Sequence, residues 1–382
     1  MANSYEISES EDISNKRWSE ALHTDIIFGE PLVADMLSDG VCVEKEDLKK
    51  AAGDKITCNF SKRITDAGVL GDASIRNNAA MISYVTDSIS INKLTIPAKA
   101  KIRGSMTQQR VAFDHEEQTF VETSNAFKQR VITGVFKQLG GELATTLTYD
   151  GVSLSGDDRV KFTGVGQLPT APTTYRKKFA TGSADETVNG NSSATLTLAA
   201  IDTCLNEAKL QRAGVNNIKP LAGRSHNGKA YYYVFYVSTE GMTQLIQDAT
   251  ANQVTYGNIV LNQIAGGQTD SAATVGETFV YRGVKVVEVP SHYIPNGVHS
   301  SSSATQANVK RALFCGADAA AVAFGQGYAD RNGDVVPGFT LKSDVDKIED
   351  EVITKATGIL AVKKTVVDGY DYGVITYSHY VA

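Results

Sequence analysis

The sequence predicts a mixed α+β protein, on three observations. Residues 113–140 carry one long helical period. Two strictly alternating segments, 55–60 and 93–103, flank a polar stretch. Strand and helix signals then alternate from 196 to 325 before extended segments close the chain.

Each element follows in chain order. Residues 1–54 read as an arm. A short helical period around Trp18, Leu22 and Ile26 is broken at Gly29 and Pro31. In "GDKITCNF", Ile56, Cys58 and Phe60 alternate with Lys55, Thr57 and Asn59, the pattern of a half-buried strand. In "KLTIPAKAKIRG", Leu94, Ile96, Ala98, Ala100 and Ile102 occupy one face, and Lys93, Lys99, Lys101 and Arg103 the other. Pro97 marks an edge or a bulge. Pairing these two segments gives an antiparallel ribbon over 55–112, with residues 62–82 at its tip. That tip, within "SKRITDAGVLGDASIRNNAAMISY", has few large apolar residues. Isolated two-stranded ribbons are marginal in water, so something else must lie against this one. The basic face of Lys93, Lys99, Lys101 and Arg103 suits phosphates or a partner's acidic residues, and equally a solvated strand face that discourages edge-to-edge aggregation.

Asp114 and Glu117 form a capping box with Phe113 just outside it. Phe120, Ser124, Phe127, Val131, Val135 and Leu139 then recur at three- and four-residue steps until Gly140 and Gly141 stop the helix. One stripe on so long a rod predicts a spine lying along a sheet. Residues 150–194 turn polar and read as a long connection or an insertion at a domain edge. Beyond them, "LAAIDTCLNEAKLQRAG" is an amphipathic helix and "KAYYYVFYVS" a buried strand. "TEGMTQLIQDA" is a second helix with Thr239 as its cap, and "ETFVYRGVKVVEVP" a hairpin turned at Arg282–Gly283. "VKRALFCGADAAAVAFGQG" is expected to pass from strand into a small-residue helix. "GFTLKSDVD", "EVITKATGILAVKKTVV" and "DYGVITYSHYVA" are extended.

Composition narrows the function. The 382 residues can hold one large or two ordinary domains, and 42% hydrophobic with 21% charged residues excludes wholesale disorder. A net charge of −6 argues against a dedicated nucleic-acid binder, which is usually basic. Beside DNA such a chain is a container more readily than a clamp. The four cysteines (Cys42, Cys58, Cys204, Cys315) form no metal or disulfide pattern and read as small buried groups in a reducing compartment. The acidic N-terminus has no signal-peptide core, and the longest apolar run, Tyr231 to Val237, is too short to span a bilayer. No membrane partner is expected.

Catalytic motifs appear only in imitation. "HEEQT" places Thr119 where a zinc-protease helix needs its second histidine. "DRNGD" begins like a calcium loop but puts Val335 and Leu341 where Gly and Glu belong. "GRSHNGK" sets Ser225 beside His226 on what reads as a hairpin tip, with no nucleophile elbow. The expectation is no enzyme, no metal and no cofactor.

The order of parts resembles a known family. "RWSEALHTD", "GDKITCNF", "GVLGDASIRNNAAMISYVTDSISINKL", "RGSMTQQRVAFDHEEQ", "LFCGADAAAVAFG" and "DYGVITYSHYVA" together resemble the major capsid protein of tailed bacteriophages, in the Hong Kong 97 (HK-97) fold, and more narrowly the N-four-like podovirus capsids. The resemblance implies an N-terminal arm (1–54), an extended loop (55–112), and a peripheral domain begun by the spine helix and polar connection (113–195). It further implies an axial domain (196–325) and return strands of the peripheral domain (326–382). The function implied is an icosahedral shell of hexamers and pentamers around a double-stranded DNA genome, bound without sequence reading. Separate scaffolding, portal and cement proteins would be partners. The chain would reside in the virion after assembly in the host cytoplasm. The alternative is the shell of a protein nanocompartment or another virion component. On this reading the ribbon is short of apolar area because its packing surface belongs to a neighbouring subunit, and Arg63, Asp66, Asp72 and Arg76 at the tip make the contact. Some shells of this kind cross-link Lys to Asn. Lys62 with Asn77 or Asn78 lies in the right region, but no catalytic Glu can be assigned, so no cross-link is expected.

Overall fold

A computed structural model describes residues 31–45, 47, 53–61, 64, 68–71, 81–101, 115–149, 152–210, 217–226, 229–251, 278–325, 339–346 and 351–382. Helix α1 (Pro31–Asp39) leads into β1 (Cys42–Lys45). Then come β2 (Lys55–Ser61), β3 (Tyr84–Ser90), β4 (Asn92–Lys101) and the 26-residue α2 (His115–Gly140). The connection holds β5 (Thr146–Tyr149), β6 (Val152–Ser155), α3 (Gly156–Thr163), β7 (Lys177–Phe179) and α4 (Asp185–Asn189). Next are α5 (Leu198–Lys209), the hairpin β8 (Arg224–His226) with β9 (Lys229–Tyr231), β10 (Tyr233–Ser238) and α6 (Thr239–Ala251). Among the described residues the later elements are strands: β11 (Thr278–Tyr281), β12 (Val284–Val289), β13 (Asn296–Val298), β14 (Thr305–Cys315), β15 (Ala320–Phe324), β16 (Phe339–Asp346), β17 (Glu351–Lys364), β18 (Val366–Val367), β19 (Tyr370–Asp371) and β20 (Val374–Tyr380).

Two mixed sheets organise the chain. The first runs β1-β15-β17-β16, with β4 also on β17; the second runs β11-β12-β10-β14-β20-β7, with β13 on β14. Strand β10 explains the unbroken run "YYYVFYV". Val234 and Tyr236 face the core that contains α2, while Tyr233, Phe235 and Val237 face α5 and α6, so both sides are buried.

The long helix lies where its stripe predicts. Phe127, Val131, Val135 and Leu139 are buried against Leu94 of β4 and Val322, Leu360 and Val362 of the first sheet. At 1.5 Å per residue the rod is about 39 Å long. Its last ten residues are buried on every side, because Phe136 also meets Tyr236 and Tyr293 below the second sheet. Gly141, at φ +59°, ends the helix in the left-handed conformation that favours glycine. The capping-box residue Asp114 lies outside the described residues.

A buried polar knot ties this helix end to the second sheet. Arg311 of β14 donates from Nη1 to the Gly140 and Gly141 carbonyls at 2.8 and 3.0 Å, and from Nη2 to Asp185 at 2.5 Å. Asp185 also accepts from Ser378 of β20 and from the Val298 amide. Lys137 pairs with Glu142 at 2.5 Å, and Glu142 accepts from the Asn296 amide.

The structure corrects four expectations. The ribbon's return strand is β3, in register Lys55↔Ser90 to Ser61↔Tyr84; the segment expected there, β4, instead pairs with β17 along ten residues. Pairing with β17 lets Leu94 reach the long helix, a burial a free ribbon cannot provide. The small-residue helix after Cys315 is a strand, β15, with every residue buried. Alanine's helix preference loses because Ala321 and Ala323 face the ribbon while Val322 and Phe324 face α2. The cap of α6 is Ser238, whose Oγ accepts the Gly241 amide, not Thr239. Pro31 opens α1 rather than only breaking a helix; the period around Trp18 lies outside the described residues. The Arg282–Gly283 turn is as expected, with both residues at positive φ joining Tyr281 to Val284.

Candidate assembly interface

The ribbon of β2 and β3 has two unlike halves. At its root Ile56 and Ile89, each 3% exposed, lie on a platform of Ala321, Ala323 and Ala361. Small residues there let the ribbon approach the sheet face opposite α2. Asp87 fastens β3 to the end of β17. Its carboxylate pairs with Lys363 Nζ and accepts the Val366 amide at 3.1 Å, and Lys363 also donates to the Ser88 carbonyl at 2.7 Å. Phe60 meets Tyr372 at 5.6 Å between ring centroids. Beside the root a cleft of about 330 Å³ is lined by Lys45, Asp47, Asn59 and Lys363, among others.

The tip half is different. Among the described residues twelve large apolar side chains are exposed, and five of them (Ile64, Leu70, Met81, Ile82 and Tyr84) fall between positions 64 and 84. Leu70 and Met81 are 94% and 95% exposed. The charged tip residues Arg63, Asp66, Asp72 and Arg76 lie outside the described residues, as do Lys62, Asn77 and Asn78. The tip therefore offers an apolar surface that its low count of large apolar residues concealed. Asp87, Lys363 and the alanine platform were likewise missed by sequence reasoning. The alternation of Val85, Asp87 and Ile89 in "YVTDSIS" was the one signal that could have found β3.

On the basic face Lys99 and Lys101 both reach Glu351 of β17, Lys101 at 3.0 Å. Lys93 is exposed, and Arg103 lies outside the described residues. The face is thus partly neutralised from within the chain.

Among the described residues, the motifs that imitate catalytic sites bring no catalytic group together. His226 bonds Thr278 at 3.0 Å, and Ser225 is exposed on the β8–β9 hairpin. "DRNGD" lies outside the described residues. Among the described residues no three His, Cys, Asp or Glu side chains form a metal cluster, and no helix is long and apolar enough to cross a membrane. Burial pushes the Cys42 and Cys204 thiols up to about 12, which leaves them inert; Cys315 is buried too and Cys58 half-buried.

Known proteins fit this frame. The family model described as phage capsid protein matches residues 16–382. No curated protein matches the chain. Among solved structures, the capsid of Ralstonia phage GP4 is 18% identical with a TM-score of 0.69, over 91% of this chain and 89% of that one. The capsid of cyanophage Pam1 is 16% identical with a TM-score of 0.61, over 90% and 89% of the two chains. The head structure of Helicobacter pylori bacteriophage KHP40 is 13% identical with a TM-score of 0.57, over 92% and 90%. With the family model spanning nearly all of its length, this chain belongs to the phage capsid protein family and is a major capsid protein of the virion shell, with an HK-97-like α+β fold.

Proposed function

We propose that the chain builds a closed icosahedral shell of hexamers and pentamers around a double-stranded DNA genome, and that its ribbon tip is seated on a neighbouring copy. One observation carries this reading. The ribbon is anchored at its root, yet its tip presents Leu70, Met81, Ile82 and Tyr84 to solvent. A rigid strut that ends in uncovered apolar surface lacks its second contact. Arg63, Asp66, Asp72 and Arg76, neighbours of these apolar positions in the sequence, supply the polar contacts that set register on the neighbouring copy.

In this reading 55–112 is the extended loop and 1–54 the arm. The spine helix and connection (113–195) with the return strands (326–382) make the peripheral domain, and 196–325 the axial domain. The role is structural rather than catalytic. The narrower placement among N-four-like podovirus capsids is supported by the sequence motifs named above. Assembly takes place in the host cytoplasm with separate scaffolding, portal and cement proteins. Lys93, Lys99, Lys101 and Arg103 contribute a secondary polar contact. The net charge of −6 suits an enclosure that does not read sequence.

Electron microscopy of the expressed protein and of source particles tests the reading. Closed shells of one major protein, filled with DNA in the source particles, are expected. Particles holding protein cargo and no genome would favour a nanocompartment, and a protein that stays monomeric in every condition would overturn the proposal.

A further inference from the structure

The last strand, β20, carries an unusual histidine. His379 is 0% exposed, and neither of its ring nitrogens has a hydrogen-bond partner. Strand alternation puts it on the same face as Ile375 and Tyr377, towards the helices that cover the second sheet. Its seat is tight. A Cβ on Gly241, in the first turn of α6, would lie 2.9 Å from His379 Nε2 and 2.6 Å from Val237 Cγ1. Gly241 has an ordinary backbone conformation, so it is the space beside the ring that requires glycine there. Gln244 closes the seam one turn on, donating to the Tyr380 carbonyl and accepting the Leu196 amide, both at 2.8 Å.

The charged groups around this seat are few. From β14, Lys310 stands in register with His379 and donates to the Ser291 carbonyl at 3.0 Å. From α6, Glu240 accepts the Ser291 hydroxyl. Ala194, Thr195 and Leu196, on the third side, bring no charge. The Asp185–Arg311 pair belongs to the opposite face of the sheet, beside Ser378. Burial pushes the imidazole down from 6.5 to about 4; Lys310 adds to this, and the Tyr377 backbone and Glu240 oppose it. The positive end of the α6 dipole also disfavours a charged ring beside its first turn.

We propose that His379 is an acid-triggered release in the second sheet. A charged ring would meet only the Tyr377 backbone, in a seat too tight for water, so its protonation drives the first turn of α6 away from β20. The inference goes beyond the shell reading and does not rest on it, since it concerns a single folded chain. The unfolded chain takes up the proton at about 6.5, the folded chain only near 4. The stabilisation is therefore fully present above pH 6.5 and is lost as pH falls from 6.5 to 4, by roughly 300-fold in the folding equilibrium.

Denaturant unfolding of the full chain, unassembled and as particles, from pH 7.5 to 4.5 tests this on wild type, His379→Phe and His379→Gln. Between pH 7.5 and 5 wild type is expected to lose roughly 30-fold more folding stability than either variant. Equal losses in all three would overturn the proposal. Where neither variant folds, nuclear magnetic resonance of histidine-labelled wild type decides. A His379 ring still neutral at pH 5.5, while exposed histidines are charged, supports the release; a charged ring at that pH refutes it.

Discussion

The two halves of one ribbon follow opposite rules. At the root, Ile56 and Ile89 are buried like core residues, on alanines small enough to admit them. At the tip, Leu70 and Met81 are almost wholly exposed, although they are as apolar as the root. The root therefore belongs to the stability of the single chain, and the tip, on the proposed function, to association between chains. A stiff root also limits what docking must order, and so reduces the entropy that assembly would otherwise lose.

The largest expected effect breaks the tip without touching the root. Leu70→Asp with Met81→Asp removes two apolar contacts worth about 1.5–3 kcal/mol each when fully buried. The loss recurs at every subunit boundary, so particle yield should fall below detection by sedimentation or electron microscopy. Subunit unfolding should stay within about 0.5 kcal/mol of wild type, because exposed positions contribute little to the folded chain. Normal particles from this variant would place the second contact elsewhere.

Next in size is the root. Ile89→Ala leaves a cavity above Ala321, Ala323 and Ala361 and should destabilise the subunit by about 2–5 kcal/mol in denaturant unfolding. Particles that do form should bind apolar dyes more strongly than wild type. An unfolding midpoint unchanged from wild type would show that the root is not part of the cooperative core. Asp87→Asn comes third. It removes the ion pair with Lys363 and leaves one acceptor oxygen where two served Lys363 and the Val366 amide, at about 1–3 kcal/mol. Hydrogen exchange should rise in β3 and remain unchanged in β10. A uniform rise across both sheets would mean that the ribbon and the body unfold as one unit.

The contrast also explains what the sequence disclosed. The long helix was legible because Phe127, Val131, Val135 and Leu139 repeat at helical spacing, a local property. The buried strand Tyr233–Ser238 was legible from its aromatic and β-branched run. Strand β15 was not, since its alanines are dictated by a ribbon more than 200 positions earlier in the chain. The pairing of Asp87 with Lys363 spans 276 positions, and no local pattern announces it. The tip was found as an outlier, but for the wrong reason. Its sparse apolar residues looked like a lack of surface, whereas Ile64, Leu70, Met81 and Ile82 are displayed. Displayed and buried leucines have the same sequence signature, and only the fold separates them.

The smallest effect sharpens the boundary between root and tip. Lys99 and Lys101 converge on Glu351, at the end of β4 far from the point where the chain leaves the ribbon and joins β17. Lys99 is 58% exposed at its side chain, so water screens its attraction. Lys99→Gln should change subunit stability by about 0–1 kcal/mol, less in high salt. Its effect on particle yield carries the information. If this face only holds β4 on β17, yield stays at wild-type level, and the tip is the sole ribbon contact that assembly requires. A several-fold drop in yield at unchanged unfolding midpoint would mean that the basic face meets an acidic surface of a neighbour, and that the subunit is gripped at β4 as well as at the ribbon tip.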